Sequence, residues 1–326
     1  MLDLSNLKNA QQTVYRSMQP TPQYCWPILC AEIGAELWMK HENHTPIGAF
    51  KARGGLVYLE RLKERDPTAT GIISATRGNH GQSLALAAGK YGLHCKILVP
   101  HGNSTEKNAA MRALGADLIE HGSDFDEARD EAERLAEIEG LHMVPSFHPD
   151  LVAGVGSYAM ELFSAVPDLE IVYVPLGLGS GICGLISARD ALGLSTKIVG
   201  VVPENAAAYA LSWQAGRVVE VNSVATFADG IAVRIPHKGA FEMIRNGADH
   251  IVTVKEDEIA DAARLIYRAT HNLAEGAGAA ALAAALKERQ TLKDRKVAVI
   301  LSGQNIDTDW FLEILSQRTP TPRQDG

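Results

Sequence analysis

Short apolar runs rich in Val, Ile and Leu recur along this chain, separated by stretches of helical periodicity. The runs predict strands over residues 71–76, 95–100, 116–120, 171–176, 197–202, 250–254 and 296–301. Several are nearly continuous in apolar residues, the pattern of strands covered on both faces. The stretches between them predict helices. Residues 82–91 are rich in Ala and Leu and end before Gly92, which suits a helix terminus. Residues 105–114 follow Ser104, an N-cap residue, and end before Gly115. Residues 256–270 and 277–287 form the longest late helices. Alternation of this kind specifies an α/β fold with a mainly parallel sheet. Ligands of such sheets bind beyond the carboxyl ends of the strands. That singles out three loops, at 76–82 (TRGNHGQ), 177–181 (GLGSG) and 302–305 (SGQN).

Composition narrows the picture. A length of 326 residues allows two domains or one large one. With 39 acidic against 31 basic side chains and a net charge of -8, the chain lacks the cationic excess that displaces counterions from nucleic acid. The balance fits a protein acting on small molecules. An aromatic content of 6% beside 29 glycines suits tightly packed helices on a sheet better than an all-β sandwich. No apolar run approaches the roughly 20 residues that span a bilayer. Residues 1–19 lack the apolar core of a signal peptide. Cys25, Cys30, Cys95 and Cys183 form no C-x-x-C pair and lie near no His cluster of zinc-ligand spacing, so free thiols in a reducing cytosol are expected. Residues 318–326, rich in Thr, Pro and charge, read as a frayed tail.

Four segments carry candidate chemistry. Gly177, Leu178, Gly179, Ser180 and Gly181 follow a predicted strand and open a helix, so their N–H groups can cradle a phosphate; a tight packing turn explains them equally well. The G-x-G-x-x-G spacing of a dinucleotide site is broken by Ile182. Lys51, flanked by Phe50 and small residues, suits a desolvated amine able to form a Schiff base and accept a proton; a solvated helix lysine is the simpler alternative. Thr76, Arg77, Gly78, Asn79 and His80 form a donor-rich turn before a helix, which suits an anion or plain capping. Ser302 can donate to a heteroaromatic nitrogen or cap its own turn.

In this order, TP-x-G-A-F-K-x-R-G-G, S-A-T-x-G-N-H-G-Q, V-P-x-G-x-G-x-G and L-S-G-x-N form a specific combination. It resembles the pyridoxal-phosphate enzymes of the tryptophan-synthase-β-like fold (fold type II), in the serine/threonine dehydratase and serine racemase branch. The resemblance runs from about Thr21 to Asp307 and includes the segments at 228–233 (ADGIAV) and 274–281 (AEGAGAAA). It implies two open, twisted, mainly parallel sheets flanked by helices. Residues 1–47 and 145–326 would form a large cofactor-binding domain, and 48–144 a small, mobile inserted one. It implies pyridoxal 5'-phosphate held by Lys51, with Phe50 beside the ring and Asn79 on the phenolic oxygen. Gly177, Leu178, Gly179, Ser180 and Gly181 would wrap the phosphate, and Ser302 would face the pyridine nitrogen. Thr76, Arg77, Gly78, Asn79 and His80 would bind the substrate, and Glu275 would sit near the cofactor.

The implied activity is β-elimination on a β-hydroxy-α-amino acid of the L-threonine or L-serine type, giving a 2-oxo acid and ammonia. Phenylserine or 3-hydroxyaspartate is the alternative substrate, and cofactor binding without turnover the alternative function. A cytoplasmic homodimer is implied, with a small-molecule amino-acid substrate and neither nucleic acid nor membrane as partner. Three departures refine this. Racemases of the branch carry a serine where Arg77 stands, and an arginine cannot deliver a proton near neutral pH, so racemisation is not expected. The cation ligands of racemase-like members align with Val202 and Ala208, which cannot ligate a hard cation, so no metal is expected there, although Glu204 is close in sequence. The short stretch after Asp307 leaves no room for a regulatory domain, which points to a catabolic role.

Overall fold

The computed structural model describes residues 2–222 and 224–322. Helix α1 (Leu4–Tyr15) is followed by strand β1 (Gln23–Cys25), helix α2 (Pro27–Ile33) and strand β2 (Glu36–His41). Helix α3 (Lys51–Arg65) leads into a β–α series: β3 (Gly71–Ala75), α4 (Asn79–Tyr91), β4 (His94–Val99), α5 (Thr105–Ala113), β5 (Asp117–Glu120), α6 (Phe125–Glu139) and β6 (His142–Met143). Helix α7 (Pro149–Ala165) opens the second series, with β7 (Ile171–Pro175), α8 (Ser180–Ala191), β8 (Lys197–Pro203), α9 (Ala208–Ala215) and α10 (Lys238–Gly247). Then come β9 (His250–Val254), α11 (Glu256–Thr270), α12 (Gly276–Lys287), β10 (Lys296–Leu301) and α13 (Thr308–Leu315).

The strands form two sheets. One has six strands in the order β1-β2-β10-β7-β8-β9, and the other four in the order β5-β4-β3-β6. Every pairing is parallel except β1 with β2, the short antiparallel edge. All seven strands read from the sequence are present, with ends shifted by at most one residue. β1, β2 and β6 were not legible. β2 reads ELWMKH and buries Lys40 and His41, and β6 has two residues.

Each face of the six-stranded sheet is buried. One packs against α2, α11, α12 and α13, the other against α7, α8 and α10. Ala and Gly are what let these layers close. Helix α12 reads GAGAAALAAALK, and a Cβ on Gly278 would lie 2.2 Å from the Gly303 carbonyl oxygen. A third core fills the space between the small sheet and helices α3 and α4. The four cysteines are free thiols, and the Cys25 and Cys30 sulfurs come within 3.1 Å of one another. The expected loose tail is anchored where it begins, since the Arg318 N–H donates to the Glu313 carbonyl and Pro320 is buried. Residues 323–326 lie outside the described residues. Among the described residues no helix is long and apolar enough to cross a membrane.

Candidate active site

Lys51 is the first residue of α3, and the segment before it is stitched to the loop after β10. The Phe50 N–H donates to the Ser302 carbonyl at 3.0 Å, Ala49 bridges to Gly303, and the Gln304 N–H donates to the Gly48 carbonyl. Buried Ser302 therefore lies beside the lysine, 251 residues away in sequence. Two residues beyond Lys51, the fully buried Arg53 anchors the helix. Its guanidinium donates to Glu42 at 2.7 and 2.9 Å and to Glu161 at 2.7 and 2.9 Å, and Glu161 also accepts from buried Lys40 at 2.6 Å. A planar five-donor fork is the side chain that can satisfy two carboxylates at once.

The Lys51 amine lies 5.8 Å from the centroid of the Phe50 ring, which meets Tyr158 edge-on. Burial pushes this amine below the ordinary lysine range, against the opposing pull of Glu275 and Asp229. A lysine so desolvated is a better nucleophile and proton acceptor near neutral pH than a solvated one.

The glycine loop joins β7 to α8. Gly179 is the N-cap of α8, at φ +108, a conformation open to glycine. A Cβ on Gly177 would lie 2.7 Å from the Gly230 carbonyl oxygen, and one on Gly181 3.8 Å from the Phe50 ring. The loop thus borders the Phe50–Lys51 corner. Its shape is fixed from outside, where the Tyr209 hydroxyl donates to the Leu178 carbonyl and the Tyr158 hydroxyl to the Gly181 carbonyl, each at 3.1 Å. Leu178 and Ser180 keep part of their surface exposed.

The β3–α4 turn supplies the facing wall. Thr76 Oγ1 accepts from the Gly78 N–H at 3.1 Å, and α4 starts at Asn79. His80 is buried with its Nε2 unbonded, and burial together with the Lys51 charge pushes its pKa down to about 3, which keeps the ring neutral. Thr76, Arg77, Gly78, Asn79, His80, Lys51 and Leu178 line one cavity of about 450 Å³. The turn, the lysine and the glycine loop are thus brought together. Ser302 joins them through the Phe50 backbone.

Further residues complete this region, and of them Lys107, Arg129, Arg234, Phe147 and His237 carried no assignable signal in the sequence. Lys107 on α5 donates to Asp229 at 2.6 Å and lies 3.7 Å from Glu275. Glu275 accepts from the Asn79 amide at 2.7 Å. Asp229 and Glu275 lie in the ADGIAV and AEGAGAAA segments, but Lys107 occupies an ordinary helical position. At the mouth, Arg234 pairs with Asp126 and approaches Asp124, while Arg129 pairs with Asp126 and Asp130. Phe147 and His237 stack 4.5 Å apart on the cavity wall. Arg77 is half-buried on that wall, rather than directed only to solvent. Val202 and Ala208 are buried, and among the described residues no group of three or more His, Cys, Asp or Glu is placed to hold a metal ion.

Comparison with known proteins bears on this geometry. A family model described as pyridoxal-phosphate dependent enzyme matches residues 14–303. The L-threonine ammonia-lyase of Thermotoga maritima is 36% identical over 318 residues, 97% of this chain and 79% of that protein. The structure of processed threonine deaminase isoform 2 from Solanum lycopersicum superposes with a TM-score of 0.89 at 31% identity, covering 97% of this chain and 89% of that one. Maize serine racemase gives a TM-score of 0.90 at 26% identity, covering 97% of each chain. The residues present fit the cofactor. The enclosed lysine amine can hold its aldehyde carbon, and the loop that a Cβ at Gly177 would crowd leaves backbone N–H groups at a helix start for its phosphate. With a match that takes in most of its length, the chain belongs to the family of pyridoxal-phosphate dependent enzymes.

Proposed function

We propose that the chain is a dehydratase, an ammonia-lyase that converts a β-hydroxy-α-amino acid of the L-threonine or L-serine type to a 2-oxo acid and ammonia. The observation that carries this reading is the desolvated Lys51 amine on the wall of a cavity shared with the N-terminal turn of α4. The relatives named as threonine ammonia-lyase and threonine deaminase support it. In this reading Lys51 holds the cofactor, Gly177, Leu178, Gly179, Ser180 and Gly181 take its phosphate, Asn79 its phenolic oxygen and Ser302 its ring nitrogen, with Phe50 alongside. When bound, pyridoxal phosphate supplies a sink for the electron pair left at Cα.

The chain's own residues do the rest. Thr76, Gly78, Asn79 and the α4 terminus receive the substrate carboxylate, where backbone N–H groups and the helix dipole favour negative charge. Neutral His80 contributes a hydrogen bond there rather than a countercharge. Lys51, which would hold the cofactor in the resting enzyme, would take the Cα proton of bound substrate, and its lowered pKa suits that task. No oxidant is needed. Water leaves across Cα and Cβ, and water returns when the released enamine tautomerises and hydrolyses. Residues 48–144 act as a small domain that closes on residues 1–47 and 145–326, shutting water out. The Lys107–Asp229 and Arg234–Asp126 pairs span that division. A cytoplasmic homodimer completes the reading, and light scattering tests the dimer.

A bulkier substrate of the phenylserine type is the second reading. Phe125, Met143, Phe147, Leu178, Val233 and Ile235 make much of the cavity wall apolar. Arg129, Arg234 and Lys107 each have a carboxylate partner, which lends hydroxyaspartate less support. A panel of threonine, serine, 3-hydroxyaspartate and phenylserine with 2-oxo acid detection tests these alternatives, with Lys51→Ala as the control. A visible cofactor band without 2-oxo acid from any of them sinks the dehydratase reading in favour of binding alone. Substantial D-serine from L-serine contradicts the expected loss of racemisation at Arg77.

A further inference from the structure

The side-chain amide of Asn79 is held at both ends. Its Oδ1 accepts from Asn305 Nδ2 at 2.8 Å, and its Nδ2 donates to Glu275 Oε1 at 2.7 Å. The direction of these bonds is settled by groups that cannot be reversed. The other hydrogen of Asn305 Nδ2 goes to the Ile47 carbonyl, also at 2.8 Å, and a carbonyl only accepts. Asn305 must therefore point its nitrogen toward Ile47 and Asn79. At the other end an ionised Glu275 carboxylate only accepts, and the protonated group keeps an acceptor oxygen for Asn79 Nδ2, so the Asn305 end sets the direction. An amide that would be ambiguous alone has one orientation here.

Both holders are seated against glycines. A Cβ on Gly303 would lie 2.4 Å from Glu275 Oε1, and one on Gly48, at φ +68, would lie 2.8 Å from Asn305 Oδ1. The backbone adds a further tie, because the Glu275 N–H donates to the Gly303 carbonyl at 3.2 Å. An amide nitrogen carries two hydrogens. One of Asn79's goes to Glu275, and the other is left for the cavity that Asn79 lines with Lys51.

The geometry points to Asn305 and Glu275 as positioning residues that fix the Asn79 amide, so that a single N–H faces the cofactor and the amide oxygen is kept away from it. This rests on the reading of Asn79 as a cofactor contact. A flipped amide would set a carbonyl oxygen against an electron-rich phenolic oxygen. The clamp prevents this without touching the cofactor itself.

The test is made on the purified holoenzyme and variants, reading cofactor Kd by titration and the position of the visible cofactor band. Asn79→Ala sets the scale. Asn305→Ala should weaken cofactor binding about tenfold, the worth of one oriented hydrogen bond. Asn305→Asp, which offers only acceptors, should weaken it at least as much as Asn79→Ala and shift the band. Glu275→Ala, which leaves Asn79 no acceptor, should weaken cofactor binding about tenfold, and Glu275→Gln, which keeps one, should lose less; a silent Glu275→Ala overturns its positioning role. Because changes at 305 can disturb the turn, the double variant Asn79→Ala/Asn305→Ala is decisive. A positioning role predicts no loss beyond that of Asn79→Ala, whereas additive losses show a merely structural role and overturn the inference. Asn79→Ala effective but Asn305→Asp silent also overturns it. Asn79→Ala silent in both Kd and band refutes the cofactor contact, and the clamp with it.

Discussion

Lys107 on α5 donates to Asp229, in the turn Asp229–Ile231, at 2.6 Å, joining the helical layer of the four-stranded sheet to that of the six-stranded one. The Lys107 side chain is 7% exposed and that of Asp229 18%. Asp229→Asn leaves a buried ammonium with the more distant Glu275 and Asp307 to balance it. Such a change costs about 3 kcal/mol when the partner stays charged. The double change Lys107→Met/Asp229→Leu should recover part of that loss. Urea unfolding of the three proteins measures it, and equal stability of wild type and Asp229→Asn would refute the assignment.

Glu275 gives a stability–pH relation of unusual sign for a carboxylate. Burial, opposed by Lys107 and assisted by the Asp229 charge, raises its pKa from an ordinary 4.5 to about 7. Between these values the folded chain keeps a proton that the unfolded chain has released, so stability falls as pH rises through the window. The full contribution is present below about pH 4.5 and absent above about pH 7, with a span of about 3 kcal/mol. Other groups titrate as well, so the quantity to follow is the difference from Glu275→Gln. Urea midpoints of cofactor-stripped protein at pH 5 and pH 8 should show wild type losing ground to the variant at the higher pH. A constant difference would count against it.

Gly177→Ala should damage the glycine loop between β7 and α8 selectively. The added methyl would meet the Gly230 backbone oxygen at 2.7 Å, and backbone cannot step aside as a flexible side chain can. We expect cofactor affinity to fall by about tenfold or more, with the far-ultraviolet dichroism of the fold retained. A cofactor titration decides the matter.

Arg53→Met should be severe for both stability and turnover. It strands Glu42 and Glu161 without their shared cation, at a cost of about 3–5 kcal/mol. Arg53→Lys should not restore the loss, because an ammonium cannot reproduce the planar fork that meets both carboxylates. Thermal melts of the two variants, read beside kcat, provide the check.

How much of this was written visibly into the sequence varies by element. Strands such as IVYVP at Ile171–Pro175 are apolar throughout because helices cover both faces, and that burial is what a reader of the sequence detects. Lys51, Asn79 and the glycine loop were legible from the order and spacing of their motifs. β2 was not, because Lys40 is buried there by virtue of Glu161, 121 residues on. Lys107 was equally hidden, since its helical position becomes meaningful only when Asp229 is folded against it. Tertiary pairing of charges leaves no local periodicity to read. The clamp on Asn79 lay within quoted motifs, but the direction of its hydrogen bonds depends on a backbone carbonyl that no motif specifies.

The strand order has a consequence for biosynthesis. Among the described residues β10 is the last of the ten strands in chain order, yet it lies inside the six-stranded sheet between β2 and β7. Until it emerges, β2 has no parallel neighbour and the loop bearing Ser302 and Asn305 does not exist. The four-stranded sheet has all its strands by Met143 and can form much earlier, since domains tend to fold as units from the N-terminal side. Completion of the six-stranded sheet is therefore a late event in the life of the nascent chain, and an arrested or truncated chain lacking β10 would present exposed edges on β2 and β7.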